Sequence, residues 1–399
     1  MIKKFLNNLC EKIVIKQLDN IKYGNLILVL PNKKQYKFGN KNENENYIYV
    51  KNNDFFKEIV FTGNIGLGES YMKNDWETPN LTSLLTLLIN NMKYLQKSGI
   101  NKGSIMRIVN IVNHNLNNNT RKQSIKNIHS HYDLGNDFYK LFLDNETMMY
   151  SSAIFKNNDE KLYQAQINKL NTLISLGELN SSDHILEIGS GWGGFAIQAA
   201  KTIGCKITTI TISKEQFIFT KQKILDENVD HLVDVKLCDY RDISGSYDKI
   251  VSIEMLEAVG QKYYGTFFNK CNNLLKSNGK LILQVITIPD QRFQSYKKNP
   301  DWIQKHIFPG GILPSLYELT KAIKNSSELQ VDQINNIGIH YAKTLHQWRF
   351  NFNQNKTSIL SLGFNEIFLR KWNYYLSYCE AGFASKFINN LHIVIKKLN

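Results

Sequence analysis

From about residue 180 onward, apolar runs of strand length alternate with amphipathic runs of helix length, and this alternation constrains the fold more than any other feature of the chain. HILEIG reads as a strand, GGFAIQAAKTIG as a helix, KITTITIS as a strand and KEQFIFTKQKILDEN as a helix. VDVKLCDY and YDKIVSIE follow as strands, then GTFFNKCNNLL as a helix and GKLILQVITI as a strand. Strands this apolar are buried on both faces, which predicts a mostly parallel α/β sheet with helices on both sides. A late LHIVIKKL is suited to close the same sheet as a final strand.

The strand HILEI runs directly into GSGWGG and then a helix. Glycine suits this turn because a ligand must approach the backbone closely, the chain must turn at positive φ, and the helix start offers free N–H groups. Gly189, Gly191, Gly193 and Gly194, with Ser190 and Trp192 between them, therefore form a nucleotide-type cradle. The spacing is near the dinucleotide pattern GxGxxG but has a glycine one place early. Glu187 precedes the glycines by two, and Asp239 follows the third strand, placed to hold an adenine amino group. Where an NAD site needs a ribose-binding carboxylate, TISKEQ offers Thr211, Ser213 and Gln216. Strand, EIGSGWGG, TIS and DYRD together look like a class I S-adenosylmethionine methyltransferase, a Rossmann-like sheet.

At 399 residues the chain exceeds what one core usually serves, so a second domain is expected. LILVLP, YKFG and YIYV suggest a small α+β module over 1–95, with TSLLTLLINNMKYL as the helix leading out. Residues 96–130 read as a basic linker and 131–399 as the catalytic domain. Between Thr78 and Tyr132 there is no acidic residue, while Lys93, Lys97, Lys102, Arg107, Arg121, Lys122 and Lys126 are basic. With a net charge of +14, this favours an anionic membrane surface as partner. Nucleic acid is disfavoured, since the basic residues interleave with Ile, Met and Val and no binding pattern accompanies them. The N-terminal MIKKFLNNLCEKIVIKQL reads as an amphipathic helix that packs on its own domain more readily than on a membrane. The longest apolar run, LTSLLTLLI, is about half the ~20 residues needed to span a bilayer. The five cysteines form no CxxC pair, which argues against a disulfide framework or zinc site and for a reducing, cytoplasmic setting.

The motifs HYDLGNDFYKLFLD, MMYSSAIF, EIGSGWGG, TISKEQ, DYRD, SIEMLEAVG, IFPGGILPS, HYAKTLHQWR and YYLSYCEAGF occur in order over about 130 to 385. In this the chain resembles the cyclopropane-fatty-acyl-phospholipid synthase family, and GLGESYMKNDWETPNLTSLL resembles that family's lipid-facing first domain. The LEAVG and LQVITIPD variants look most like the branch with plant and some actinobacterial members. The resemblance implies transfer of a methyl group from S-adenosylmethionine to the double bond of an unsaturated phospholipid acyl chain, giving a cyclopropane. The same scaffold also fits a methyl- or methylene-branched product, or a silent lipid or cofactor binder. A homodimer is a further implication.

In that family a bound bicarbonate is the base. Carried over by position, its ligands are Ser152, Glu257, Gln284, Tyr341 and the backbone of Ile286. Two positions depart from the well-studied bacterial pattern: Ser152 replaces a cysteine and Gln284 a histidine, each keeping a hydrogen-bond donor. Cys379 stands where the family's active-site cysteine is often placed. Alkene methylation needs no covalent thiolate, so a packing role near the acyl pocket is expected for it. The implied cofactor residues are Tyr150, Ser151, the turn from Glu187 to Gly194, the stretch from Thr211 to Gln216, and Tyr240 with Arg241. Trp192 is expected against the cofactor's methionine end. The segment 289–319, with Phe293, Trp302 and Phe308, is expected to cover the acyl tunnel.

Overall fold

The computed structural model describes residues 2–40, 45–95, 123 and 134–398. The expected basic linker over 96–130 thus falls, except for Gln123, outside the described residues. The chain clusters into two units: Met1–Leu116 with Lys298–Ile307 and Asn353–Phe387, and Asn117–Lys297 with Phe308–Phe352 and Ile388–Asn399. The expected catalytic range 131–399 is therefore interrupted twice, by segments that return to the first unit.

In the first unit, β1 (Asn25–Val29), β2 (Gln35–Gly39), β3 (Glu45–Val50) and β4 (Trp76–Glu77) form a sheet of order β2-β1-β3-β4. Helices Asp54–Thr62 and Asn64–Met72 connect β3 to β4, and helix Leu81–Asn90 follows. The returning helix Glu366–Ala384 packs on two of these, Asn64–Met72 and Leu81–Asn90. Chemistry in the returning segments explains the return. Trp302 is fully buried, and a Cβ on Gly68 would stand 2.5 Å from its indole. Lys305 and His306 both meet Glu69 Oε1, at 2.6 and 2.9 Å. The N-terminal helix Ile2–Leu18 buries Cys10, Val14 and Leu18, one stripe at i, i+4 spacing, and leaves Phe5 and Leu9 exposed.

The second unit holds β5 (His184–Ile188), β6 (Lys206–Thr211), β7 (Val233–Leu237), β8 (Tyr247–Ile253), β9 (Leu275–Thr287), β10 (Leu329–Asn336) and β11 (Asn389–Lys397). Their order is β10-β11-β9-β8-β5-β6-β7. The first five strands pair parallel, as the alternation predicts. The late strand β11 inserts antiparallel between β9 and β10. Alternate residues feed two cores: Ile185, Val251 and Ile282 on one face, Leu186, Ile250, Leu281 and Leu283 on the other. Helices Leu162–Gly177 and Gly194–Ile203 line the first face, and Tyr264–Leu274 and Leu316–Ser326 the second.

Candidate active site

The cradle forms where β5 ends. Gly189, Gly191 and Gly193 have φ of 99°, 50° and 84°, a region glycine enters freely. Gly193 precedes helix Gly194–Ile203, whose first N–H groups are free of intrahelical partners. A Cβ on Gly191 would meet nothing within 4 Å, so the turn leaves room for a ligand against its backbone. At Gly194 a Cβ would lie 2.6 Å from Met149 Sδ, so glycine there serves packing. The Ser190 hydroxyl donates to the Gly191 carbonyl. These observations fit a cofactor bound at backbone N–H groups.

Several expected cofactor residues have roles of their own. Ser213 caps helix Lys214–Asp226, and the Thr211 hydroxyl donates to Gln216 Oε1 at 2.9 Å, so TISKEQ is largely bonded to itself. Asp239 forms a two-pronged pair with Arg241, at 2.7 Å to Nε and 2.5 Å to the terminal nitrogen. Tyr240 joins the core beside Phe267, its hydroxyl buried without a partner. Glu187 lies buried on β5 and accepts from the Thr209 hydroxyl at 2.5 Å; burial pushes its carboxyl up to about 8. Trp192 is anchored through the bond from its indole N–H to Asn136 Oδ1.

From the cradle a chain of aromatic rings runs inward. Trp192 lies 4.9 Å from Tyr139, Tyr139 5.4 Å from Tyr150, Tyr150 5.3 Å from Trp348, and Trp348 6.0 Å from Tyr341. Helix Gly338–Gln354 carries Tyr341 and Trp348 seven residues apart, two turns, so both project from one face.

At the end of this chain stands Glu254, a residue the sequence reading did not single out. It follows β8 directly and holds φ of 50°, a left-handed backbone uncommon outside glycine. Its Oε1 accepts from the Ser152 backbone N–H at 3.0 Å, Gln284 Nε2 at 2.8 Å and Asn390 Nδ2 at 2.5 Å. Its Oε2 accepts from the Tyr341 hydroxyl at 2.6 Å. Burial raises this carboxyl's proton affinity and the four donors pull it back, for a net rise. Sheet register builds the cluster: Gln284 on β9 sits opposite Ile253 on β8 and His392 on β11. His392 Nε2 lies 2.9 Å from Gln284 Oε1, and burial lowers its imidazole to about 3, so the ring is neutral. An N–H from His392 to the amide oxygen turns the Gln284 NH₂ toward Glu254. A histidine on the neighbouring strand thus orients the glutamine at position 284.

Of the five expected bicarbonate ligands, three therefore converge on Glu254. Ser152 does so by its backbone; its hydroxyl donates to the Ala153 carbonyl at 3.1 Å. Glu257 stays apart from these donors and takes the Ile286 N–H at 2.5 Å. Burial, then the Glu254 charge, pushes Glu257 up to about 8, and its Oε2 is sealed without a partner. The donor set expected for bicarbonate is thus taken up by the chain's own carboxylates and does not fit that ion as well. Ser151, expected at the cofactor, accepts at 2.9 Å from Lys169, whose ammonium burial lowers to about 7.

Two expectations fall elsewhere. Cys379 belongs to the first unit, on helix Glu366–Ala384, and burial pushes its thiol far up, as a packing residue requires. In the segment 289–319, Phe293 joins the second unit's core and Trp302 is buried in the first unit beside Tyr374. Both side chains are fully buried core residues.

Comparison with known proteins gives the family and the fold. Residues 119–393 match the family model described as mycolic acid cyclopropane synthetase. The chain is 37% identical over 334 residues to the tuberculostearic acid methyltransferase UfaA1 of Mycobacterium tuberculosis, covering 82% of this chain and 77% of that one. It is 33% identical over 351 residues to the cyclopropane-fatty-acyl-phospholipid synthase of Escherichia coli strain K12, covering 88% and 87%. The mycolic acid cyclopropane synthase CmaA1, complexed with SAH and CTAB, superposes with a TM-score of 0.64 at 28% identity, over 68% of this chain and 98% of that one. With the class I sheet and the glycine cradle, these matches place the chain in the mycolic acid cyclopropane synthetase family of S-adenosylmethionine-dependent methyltransferases.

Proposed function

We propose that this protein methylates the double bond of an unsaturated acyl chain in a phospholipid and closes a cyclopropane there. The observation that carries the reading is the continuous path from glycine cradle through aromatic rings to a carboxylate ringed by four donors. S-adenosylmethionine, when bound at the cradle, supplies an electrophilic methyl group. An isolated alkene is a weak nucleophile, so the residues must hold it in line and exclude water from the carbocation that forms. Tyr150 and Trp348 offer π faces that stabilise a cation without capturing it. A carboxylate within the same cluster gives the proton somewhere to go.

A methyl- or methylene-branched unsaturated chain differs only in where the cation loses its proton, and the similarity to UfaA1 favours it as the second reading. Exposed Phe5 and Leu9 on a helix rich in lysine suit an anionic lipid surface, with the described residues holding no helix long and apolar enough to cross a membrane. The test incubates purified protein with methyl-deuterated S-adenosylmethionine and vesicles of unsaturated phosphatidylglycerol, followed by mass spectrometry of the fatty acids. A labelled cyclopropane is expected; a labelled branched chain selects the second reading, and unlabelled lipid overturns both. Vesicle binding is expected to weaken as salt rises.

A further inference from the structure

We propose that Glu254 is itself the base of this reaction, its carboxylate standing among the donors that the family resemblance assigns to an external bicarbonate. The inference rests on the methyl-transfer reading above. Three features carry it. Ser152 N–H, the Gln284 amide and the Tyr341 hydroxyl all point at one carboxylate, and that carboxylate is covalently part of the chain. A bicarbonate ion presents the same planar pair of oxygens, so one set of donors serves one or the other. The backbone at Glu254 is also held at φ of 50°, the kind of locally unfavourable conformation that persists where surrounding structure demands it. Third, among the described residues the two oxygens are unequally engaged: Oε1 accepts three bonds and Oε2 one, from Tyr341, so Oε2 keeps a lone pair for a proton.

Glu257 does not compete for the role. Two carboxylates this close do not both ionise readily, and Glu257, raised to about 8, keeps the proton while the donors hold the charge on Glu254. The step balances. The alkene's π pair forms the new bond to the methyl carbon as the carbon–sulfur pair leaves with sulfur, giving S-adenosylhomocysteine and a carbocation at the other former alkene carbon. Glu254 Oε2 then takes a proton from the transferred methyl, and that C–H electron pair closes the ring. The resulting carboxylic acid returns its proton to water after product leaves.

The test compares wild type, Glu254→Gln and Glu254→Gly in carbon-dioxide-free buffer and with added bicarbonate. Glycine adopts φ of 50° without strain and leaves a space ringed by the same donors. Wild type is expected to turn over equally with and without bicarbonate. Glu254→Gln is expected to lose about a hundredfold or more in kcat, the usual worth of a general base, while S-adenosylhomocysteine binding by calorimetry is unchanged. Glu254→Gly is expected to be inactive alone and partly rescued by bicarbonate. Line broadening of ¹³C-bicarbonate in NMR gives a readout apart from turnover: broadening is expected with Glu254→Gly and not with wild type. Bicarbonate-dependent turnover, or bicarbonate binding at this site, in wild type overturns the proposal. Methyl transfer that is absent in wild type under both conditions instead counts against the underlying reading, and the NMR arm still decides whether Glu254 occupies the ion's place.

Discussion

At the scale of single residues, the second unit holds buried ionisable groups whose titrations oppose each other. Glu187 is raised from 4.5 to about 8 by burial. The unfolded carboxyl ionises from about 4.5 while the folded one keeps its proton to about 8, so Glu187 lowers stability increasingly as pH rises through that window. Lys169, lowered from 10.5 to about 7 by burial, has the opposite sign: its penalty is full below about 7 and fades toward 10.5. Glu187→Gln keeps an oxygen for the Thr209 hydroxyl and cannot ionise. Its melting temperature is expected to match wild type near about pH 3.5 and to exceed it by at least about 2 °C at pH 8, a difference of the size a kcal/mol produces. A constant offset across that range, read by differential scanning calorimetry, counts against the burial argument. Which carboxylate meets the donors was not legible at this scale, since Glu254 and Glu257 stand three residues apart in one motif. The left-handed backbone at Glu254 separates them, and no pattern of residue types announces it.

At the scale of elements, the glycine turn was read correctly from spacing because positive φ and close approach are local demands. Helix Gly194–Ile203 supplies an internal control: Gly191 before it and Gly204 after it both have positive φ and open space for a Cβ. Alanine at either position is expected to cost about 1–2 kcal/mol of stability in urea unfolding. Only Gly191→Ala is expected to weaken S-adenosylhomocysteine binding, by tenfold or more in calorimetry. Equal affinities for the two variants would remove the cradle assignment. TISKEQ shows the limit of element-level reading: the residues expected at a ligand also suit an N-cap, and the structure uses Ser213 for that.

At the scale of the whole molecule, the chain enters the first unit three times, and the sequence marks none of the crossings. Glu69 ties the second passage to the first. Burial alone would raise its carboxyl, but His306 and Lys305 outweigh that and hold it at about 2. The stability it lends is full above about 4.5 and is lost as pH falls toward 2. Glu69→Gln is expected to cost roughly 2 kcal/mol at pH 7 and nothing at pH 2, as two charged hydrogen bonds would. Denaturant midpoints at the two pH values check it, and a loss that persists at pH 2 assigns the effect to packing.

By itself the sequence determined the parallel sheet, the glycine cradle and the family, because strand burial, turn geometry and motif order are written in residues near one another. Only the tertiary structure decided which group the donors serve. Glu254 just beyond β8, Gln284 and His392 on two other strands and Tyr341 on a helix are far apart in the chain, and sheet register with one left-handed residue brings them to hydrogen-bonding distance.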